Sequence, residues 1–119
     1  MAGEYAAGNY AVCGGDFNKD LLGDSAAVFG VSGEAYPWAQ AFPDDLLPAG
    51  ITLAAPLDEA QPLPSCRNAD APYDPATAFV LTVDGFLLSD NVTVREARVV
   101  DSGFAWSDHN PVKLIFSLS

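Results

Sequence analysis

The single imidazole of this chain, His109, stands in Ser107-Asp108-His109-Asn110-Pro111, just ahead of the apolar run VKLIFSL. Adjacent Asp and His at a strand entrance can share the chemistry, with the carboxylate taking a hard cation and the imidazole handling protons. A second cluster, Gly14-Gly15-Asp16-Phe17-Asn18, follows the apolar run YAVC. There a carboxylate and an amide two residues apart can face the same way, one accepting and one donating a hydrogen bond. The third feature is Asp84 inside FVLTVDGFLLS. A carboxylate among apolar strand residues is unfavourable unless paired or hydrogen-bonded, and orienting a histidine would satisfy it. Each feature also has a plainer reading: Asp16 and His109 lie in turn-like composition, and Asp84-Gly85 can mark a bulge or strand end. Taken together, the chain's one His, a strand-embedded Asp and an Asp-x-Asn loop are what a metal-assisted phosphate hydrolysis site requires.

The elements that must hold these residues follow from periodicity and punctuation. Asn9 to Gly15 is expected to form a short strand ending at Gly14-Gly15. Asp24 or Ser25 can cap a helical turn over Ala26 to Phe29, and a second short helix fits Ala39 to Leu47 between prolines. The remainder of Gly30 to Pro64 is a long connecting region rich in Gly, Pro and Asp. Ala78 to Leu88 suits one central strand, and Asn91 to Val100 a second after a Ser89-Asp90-Asn91 turn. Asp101 to Pro111 is a polar loop, and Val112 to Leu118 a closing strand. A hairpin-like succession of strands with one or two short helices implies an α+β class dominated by an antiparallel-rich sheet. These strands are apolar on both faces, so a covering layer is expected from a partner or from a part of the protein outside this chain.

Composition narrows the possibilities. The chain has 119 residues, 16 Asp and Glu, 5 Lys and Arg, and a formal net charge of −11. Half the residues are hydrophobic and 18% are charged, which argues against intrinsic disorder and for one domain at most. The scattered cations Lys19, Arg67, Arg95, Arg98 and Lys113 do not make the basic patch that non-specific nucleic-acid binding needs. A phosphate ligand must then be held through a divalent metal or a few local donors. No apolar run reaches the ~20 residues of a membrane-spanning helix, and MAGEYAAGNY has neither the basic nor the apolar region of a secretory signal. A cytoplasmic location is compatible with that, but no compartment is assigned. Cys13, inside YAVC, is expected to be a buried small hydrophobe, and Cys66 a loop thiol; nothing argues for a bridge between them.

Quoted in order, GGDFN, VDGFLLSDNV and SDHNPV resemble the endonuclease/exonuclease/phosphatase superfamily, the deoxyribonuclease I-like group. That group also includes apurinic endonucleases, sphingomyelinases and inositol polyphosphate phosphatases. SDHNPV is the most specific of the three, and EYAAGNYAVCGGDFN and PSCRNADAPYD look like the bacterial branch. The resemblance spans residues 1–119 but only the C-terminal half of the family's four-layer α/β sandwich.

By that resemblance, Asp16 orients or deprotonates the attacking water and Asn18 contacts the scissile phosphate. Asp108 is a metal carboxylate alongside Asp16, and His109 contacts the phosphate with Asp84 as its partner. Arg67 can add a cationic contact, although a surface Arg is the plainer reading. The implied cofactor is Mg²⁺ or Mn²⁺. The implied reaction is hydrolysis of a phosphodiester or phosphomonoester: a small phosphodiester, a phospholipid head group or nucleic acid. The family's first half supplies an Asn and a Glu to its principal metal site, whereas Glu4 is the one acid here before the GGDFN loop. The expectation is therefore a partial domain, from a truncated reading frame, a fragment or one half of a split protein, inactive by itself and partnered by the missing N-terminal half or by a second copy as a homodimer. The contrasting expectation is a catalytically incomplete acidic module that binds a divalent cation or a protein partner.

Overall fold

A computed structural model describes residues 2–23, 29, 42–43, 45–57, 62–67, 74 and 79–118. Among the described residues the elements are the short helix α1 (Ala2–Ala6) and seven strands. These are β1 (Val12–Asp16), β2 (Ile51–Ala54), β3 (Cys66–Arg67), β4 (Val80–Leu81), β5 (Asp84–Ser89), β6 (Val92–Val99) and β7 (Val112–Leu118). Every strand pairing among the described residues is antiparallel. The sheets have the orders β1-β5-β2, β3-β4 and β6-β7. The architecture is thus a small α+β fold dominated by antiparallel sheet, as the strand-rich last third anticipates. Among the described residues no helix is long and apolar enough to cross a membrane.

The apolar run from Ala78 does not form the one central strand expected of it: β4 pairs with β3, while β5 lies between β1 and β2. The break at Thr82-Val83 has a hydrogen-bond cause. Leu21 N–H donates to the Thr82 carbonyl at 2.8 Å and Phe17 N–H to the Val83 carbonyl at 2.9 Å, so the loop after β1 takes these acceptors. Val80, Leu81, Thr82 and Val83 are all buried in succession, so this stretch is covered on both faces and needs apolar residues on both. Nor do β5 and β6 form a hairpin. The turn at Asp90-Asn91 carries the chain out of one sheet into the β6-β7 ribbon, and Asp90 N–H is held by the Gly50 carbonyl at 2.9 Å.

β2 lies within the stretch expected to be a long connection, where a four-residue Ile-Thr-Leu-Ala run sits between Gly50 and Pro56. It pairs with β5 from Ile51↔Ser89 to Ala54↔Phe86. The N-terminal residues, expected to lead straight into a strand, first form α1, which stops at Gly8 with φ 85°. That left-handed conformation is one glycine adopts without steric cost. The Tyr5 ring packs directly over Gly50, also at φ 85°, which seats α1 on the turn before β2. The helical turn expected over 26–29 lies almost wholly outside the described residues. Of the helix expected over 39–47, residues 42–43 and 45–47 are described, and they are not helical.

The core is centred on Cys66, Leu81 and Val83 with Phe79 packed against them. Leu88, Ile51, Val92, Val99 and Phe104 extend the buried set. Cys13 is exposed rather than buried: β1 is an edge strand whose five residues are all open to solvent, two of them glycines that cover nothing. Cys66 is buried in β3 rather than in a loop, and both thiols are free. Val94, Ile115, Phe116 and Leu118 on the β6-β7 ribbon also remain exposed, in keeping with the apolar composition of both its faces.

Candidate functional site

Antiparallel register places Asp16, the last residue of β1, directly opposite Asp84, the first residue of β5. Like charges facing one another across a ladder are destabilising, so the pair needs a positive or donating group between them. His109 supplies it. Its Nδ1 lies 2.7 Å from Asp84 Oδ2, and its Nε2 lies 3.7 Å from Asp16 Oδ2. Because a carboxylate only accepts, Nδ1 carries the proton in this bond and Nε2 is left facing outward.

The imidazole arrives there through backbone pairing of the loop after β6 with β3. Arg67 N–H donates to the Asp108 carbonyl at 2.9 Å and Asn110 N–H to the Ser65 carbonyl at 2.7 Å, so Cys66 and His109 face each other in an isolated bridge. Two side chains, neither singled out from the sequence, lock this arrangement. Ser65 is wholly buried, and its hydroxyl oxygen accepts N–H bonds from Val83 at 3.0 Å and Asp84 at 3.2 Å. One serine therefore ties the Asp84 strand and the His109 loop to the same point. Asn110 is also buried. Its Oδ1 accepts from Ser102 N–H, Ser102 Oγ–H and Phe104 N–H, and its Nδ2 donates to the Pro64 carbonyl. The sequence signal for both is an uncharged polar residue beside a motif, at Pro64-Ser65-Cys66 and in His109-Asn110-Pro111; neither stands out without the contacts.

Exposure grades the site. The Asp84 side chain is 13% exposed, His109 is 32%, Asp108 is 43% and Asp16 is 47%. Asp84 is thus the inner, orienting carboxylate, and Asp16 and Asp108 stand at the solvent side of Nε2. Burial works against charge on His109, but the hydrogen bond to Asp84 and the charges of Asp84, Asp108 and Asp16 outweigh it. They hold the imidazole pKa above its usual value. The neighbouring Cys66 thiol, 3.8 Å from Nε2, is pushed up to about 12, first by burial and then by the same three carboxylates, against a lowering by Arg67. It remains a thiol and is no nucleophile.

Asp16, Asp84 and His109 have ligand atoms that all lie within 4.8 Å of one another and can hold a metal ion. Asp108 is outside that group of three, with Oδ1 4.0 Å from Nε2. The ligand atoms on offer are two carboxylate oxygens and one imidazole nitrogen, with Asp16 and Asp108 on the solvent side. Three carboxylates around one imidazole also leave net negative charge for a divalent cation to neutralise.

Asn18 follows Asp16 with φ 53°, and its N–H donates to Asp16 Oδ1 at 2.8 Å, which fixes the carboxylate with Oδ2 toward His109. The Asn18 residue is exposed. Arg67 is half-buried on β3 and joined to Asp108 through its backbone. No family model, no curated protein and no solved structure matches the chain.

Proposed function

We propose that this chain carries the histidine side of a divalent-metal-dependent phosphoester hydrolase, akin to the endonuclease/exonuclease/phosphatase superfamily that its motifs resemble. The observation that carries this reading is the Asp84–His109–Asp16 line, with an orienting carboxylate on Nδ1 and a second carboxylate facing Nε2. In hydrolysis, Asp16 Oδ2 takes a proton from water as the water oxygen bonds to phosphorus, and the phosphorus–oxygen bond to the alcohol breaks with its electron pair on the leaving oxygen. Protonated His109 presents Nε2–H to a phosphoryl oxygen as charge accumulates there. Asp84 keeps the ring in this orientation. The Asn18 amide is the further donor toward the phosphate. Asp16 and its neighbouring carboxylates would hold Mg²⁺ or Mn²⁺, which when bound polarises the phosphoryl group as a Lewis acid.

The test is Mg²⁺-dependent hydrolysis of bis(p-nitrophenyl) phosphate by the chain beside His109→Ala and Asp16→Asn. Turnover that falls by about 10²–10⁴ in each variant supports the reading. Turnover that is unchanged in His109→Ala overturns it. A second reading, a cation-binding module without turnover, is favoured by the openness of Asp16 and Asp108, since hydrolytic sites gain from excluding water. Mg²⁺ binding that depends on Asp16, with no hydrolysis, would select it.

A further inference from the structure

Trp106 is 91% exposed, whereas the other exposed large hydrophobic residues among those described range from 40% to 62%. A tryptophan so placed leaves unburied the roughly 150–250 Å² that this side chain usually removes from water. Its loop is nevertheless pinned on both sides. Two residues earlier Phe104 is buried, with φ 53° and its N–H on Asn110 Oδ1. Ala105 N–H donates to the Ser102 carbonyl at 3.3 Å, and Gly103 N–H to Asp101 Oδ1 at 2.8 Å. Three residues later His109 is fixed by Asp84 and by its own N–H on Ser107 Oγ. With Phe104 turned into the core and His109 into the site, the indole between them is held in solvent. Its Cα lies at most ~11 Å from that of His109, by the length of three residues.

From this placement we infer that Trp106 is a stacking platform for a planar heteroaromatic ring on the phosphoester, so that the ligand is a single nucleotide unit. The inference rests on the phosphoester reading of the adjacent site and names the organic group that site would select. Charge favours the same ligand. With 5 cations against 16 acids, the protein has little electrostatic grip on a polyanionic duplex, and a ring contact would supply affinity that charge does not. A base stacked on an aromatic side chain adds affinity without requiring a basic groove.

The test compares thymidine 5′-monophosphate with 2-deoxyribose 5-phosphate, which share sugar and phosphate and differ in the ring. Both are titrated calorimetrically into the full chain with Mg²⁺, and tryptophan emission is followed in a Trp38→Phe background so that Trp106 alone reports. The expected result is tighter binding of the nucleotide by about 5- to 150-fold, with saturable quenching by the nucleotide only. Trp106→Ala should bring the two ligands to the same affinity, and Trp106→Phe should restore most of the difference. Equal affinities in the unaltered chain, no binding of either ligand, or a preference that survives Trp106→Ala would each overturn the inference. Ring preference without any hydrolysis would leave Trp106 in this role and remove the hydrolase reading. Hydrolysis without ring preference would do the reverse.

Discussion

Replacing Ser65 by Ala removes one oxygen and should disturb both stability and the site. That oxygen accepts two backbone N–H groups, from Val83 at 3.0 Å and from Asp84 at 3.2 Å. Val83 is 1% exposed, so water cannot take over its N–H, and an orphaned buried donor costs about 1–3 kcal/mol. Asp84 stands at the edge of the half-open site, where water can reach its N–H, and should add less than about 1 kcal/mol. The Ser65 carbonyl still holds Asn110, so the loss belongs to the hydroxyl alone. A total of about 2–3 kcal/mol is a large share of the ~5–15 kcal/mol that stabilises a small domain. With a slope of about 1–3 kcal/mol per molar urea, the unfolding midpoint should fall by about 1–2 M at unchanged slope. The same substitution frees the start of β5, so the proton resonances of the one imidazole should show a His109 pKa that moves back toward its ordinary value. A loss below about 0.5 kcal/mol would refute the claim that this hydroxyl ties the two halves of the site together.

Three further outcomes are expected. Asp84→Asn keeps an acceptor for Nδ1–H but removes the charge, so the His109 pKa should fall, as read by NMR titration of the chain's only histidine. Because that pKa is raised on folding, the stabilisation by charged His109 is complete below pH ~6.5 and lost as pH rises through the folded value; the slope of stability with pH there should flatten in Asp84→Asn. Gly50→Ala combines a left-handed φ of 85° with a Cβ driven into the Tyr5 ring, and should lower the melting temperature by about 10 °C for a cost of about 2–3 kcal/mol. A disulfide reagent should modify Cys13 at once and Cys66 only as the protein unfolds, since one thiol is exposed and the other is buried with a pKa of about 12; equal rates would contradict the placement of β1 as an open edge.

Residue types are informative where local chemistry is sufficient. A lone Asp in an apolar run demands a partner, and a lone His beside an Asp is a natural candidate; Asp84 and His109 do meet, at 2.7 Å. The closing strand over 112–118 and the strand after Asn91 are also legible, because side chains there match a pleated surface over seven or eight residues. Cys13 departs from expectation because apolar neighbours indicate a strand but not which of its faces is covered. The Ala78–Leu88 run departs because continuous hydrophobicity indicates burial on both faces but not continuity of pairing. β2 is not legible because four residues between Gly and Pro carry too little periodicity to register.

Charge, length and the order of the three motifs are properties of the sequence itself. The charge excludes a basic nucleic-acid patch, the succession of apolar runs points to the α+β class, and the motifs single out Asp16, Asn18, Asp84, Asp108 and His109 as candidates. Which carboxylate lies inside and which faces solvent is decided only by tertiary structure. Asp84 is the inner one because β5 begins beneath Ser65, and Asp16 the outer one because β1 is an edge strand. The physical reason is that hydrogen-bond partners such as Ser65 and Asn110 are chosen by distances between segments far apart in the chain. Residue type alone does not encode those distances.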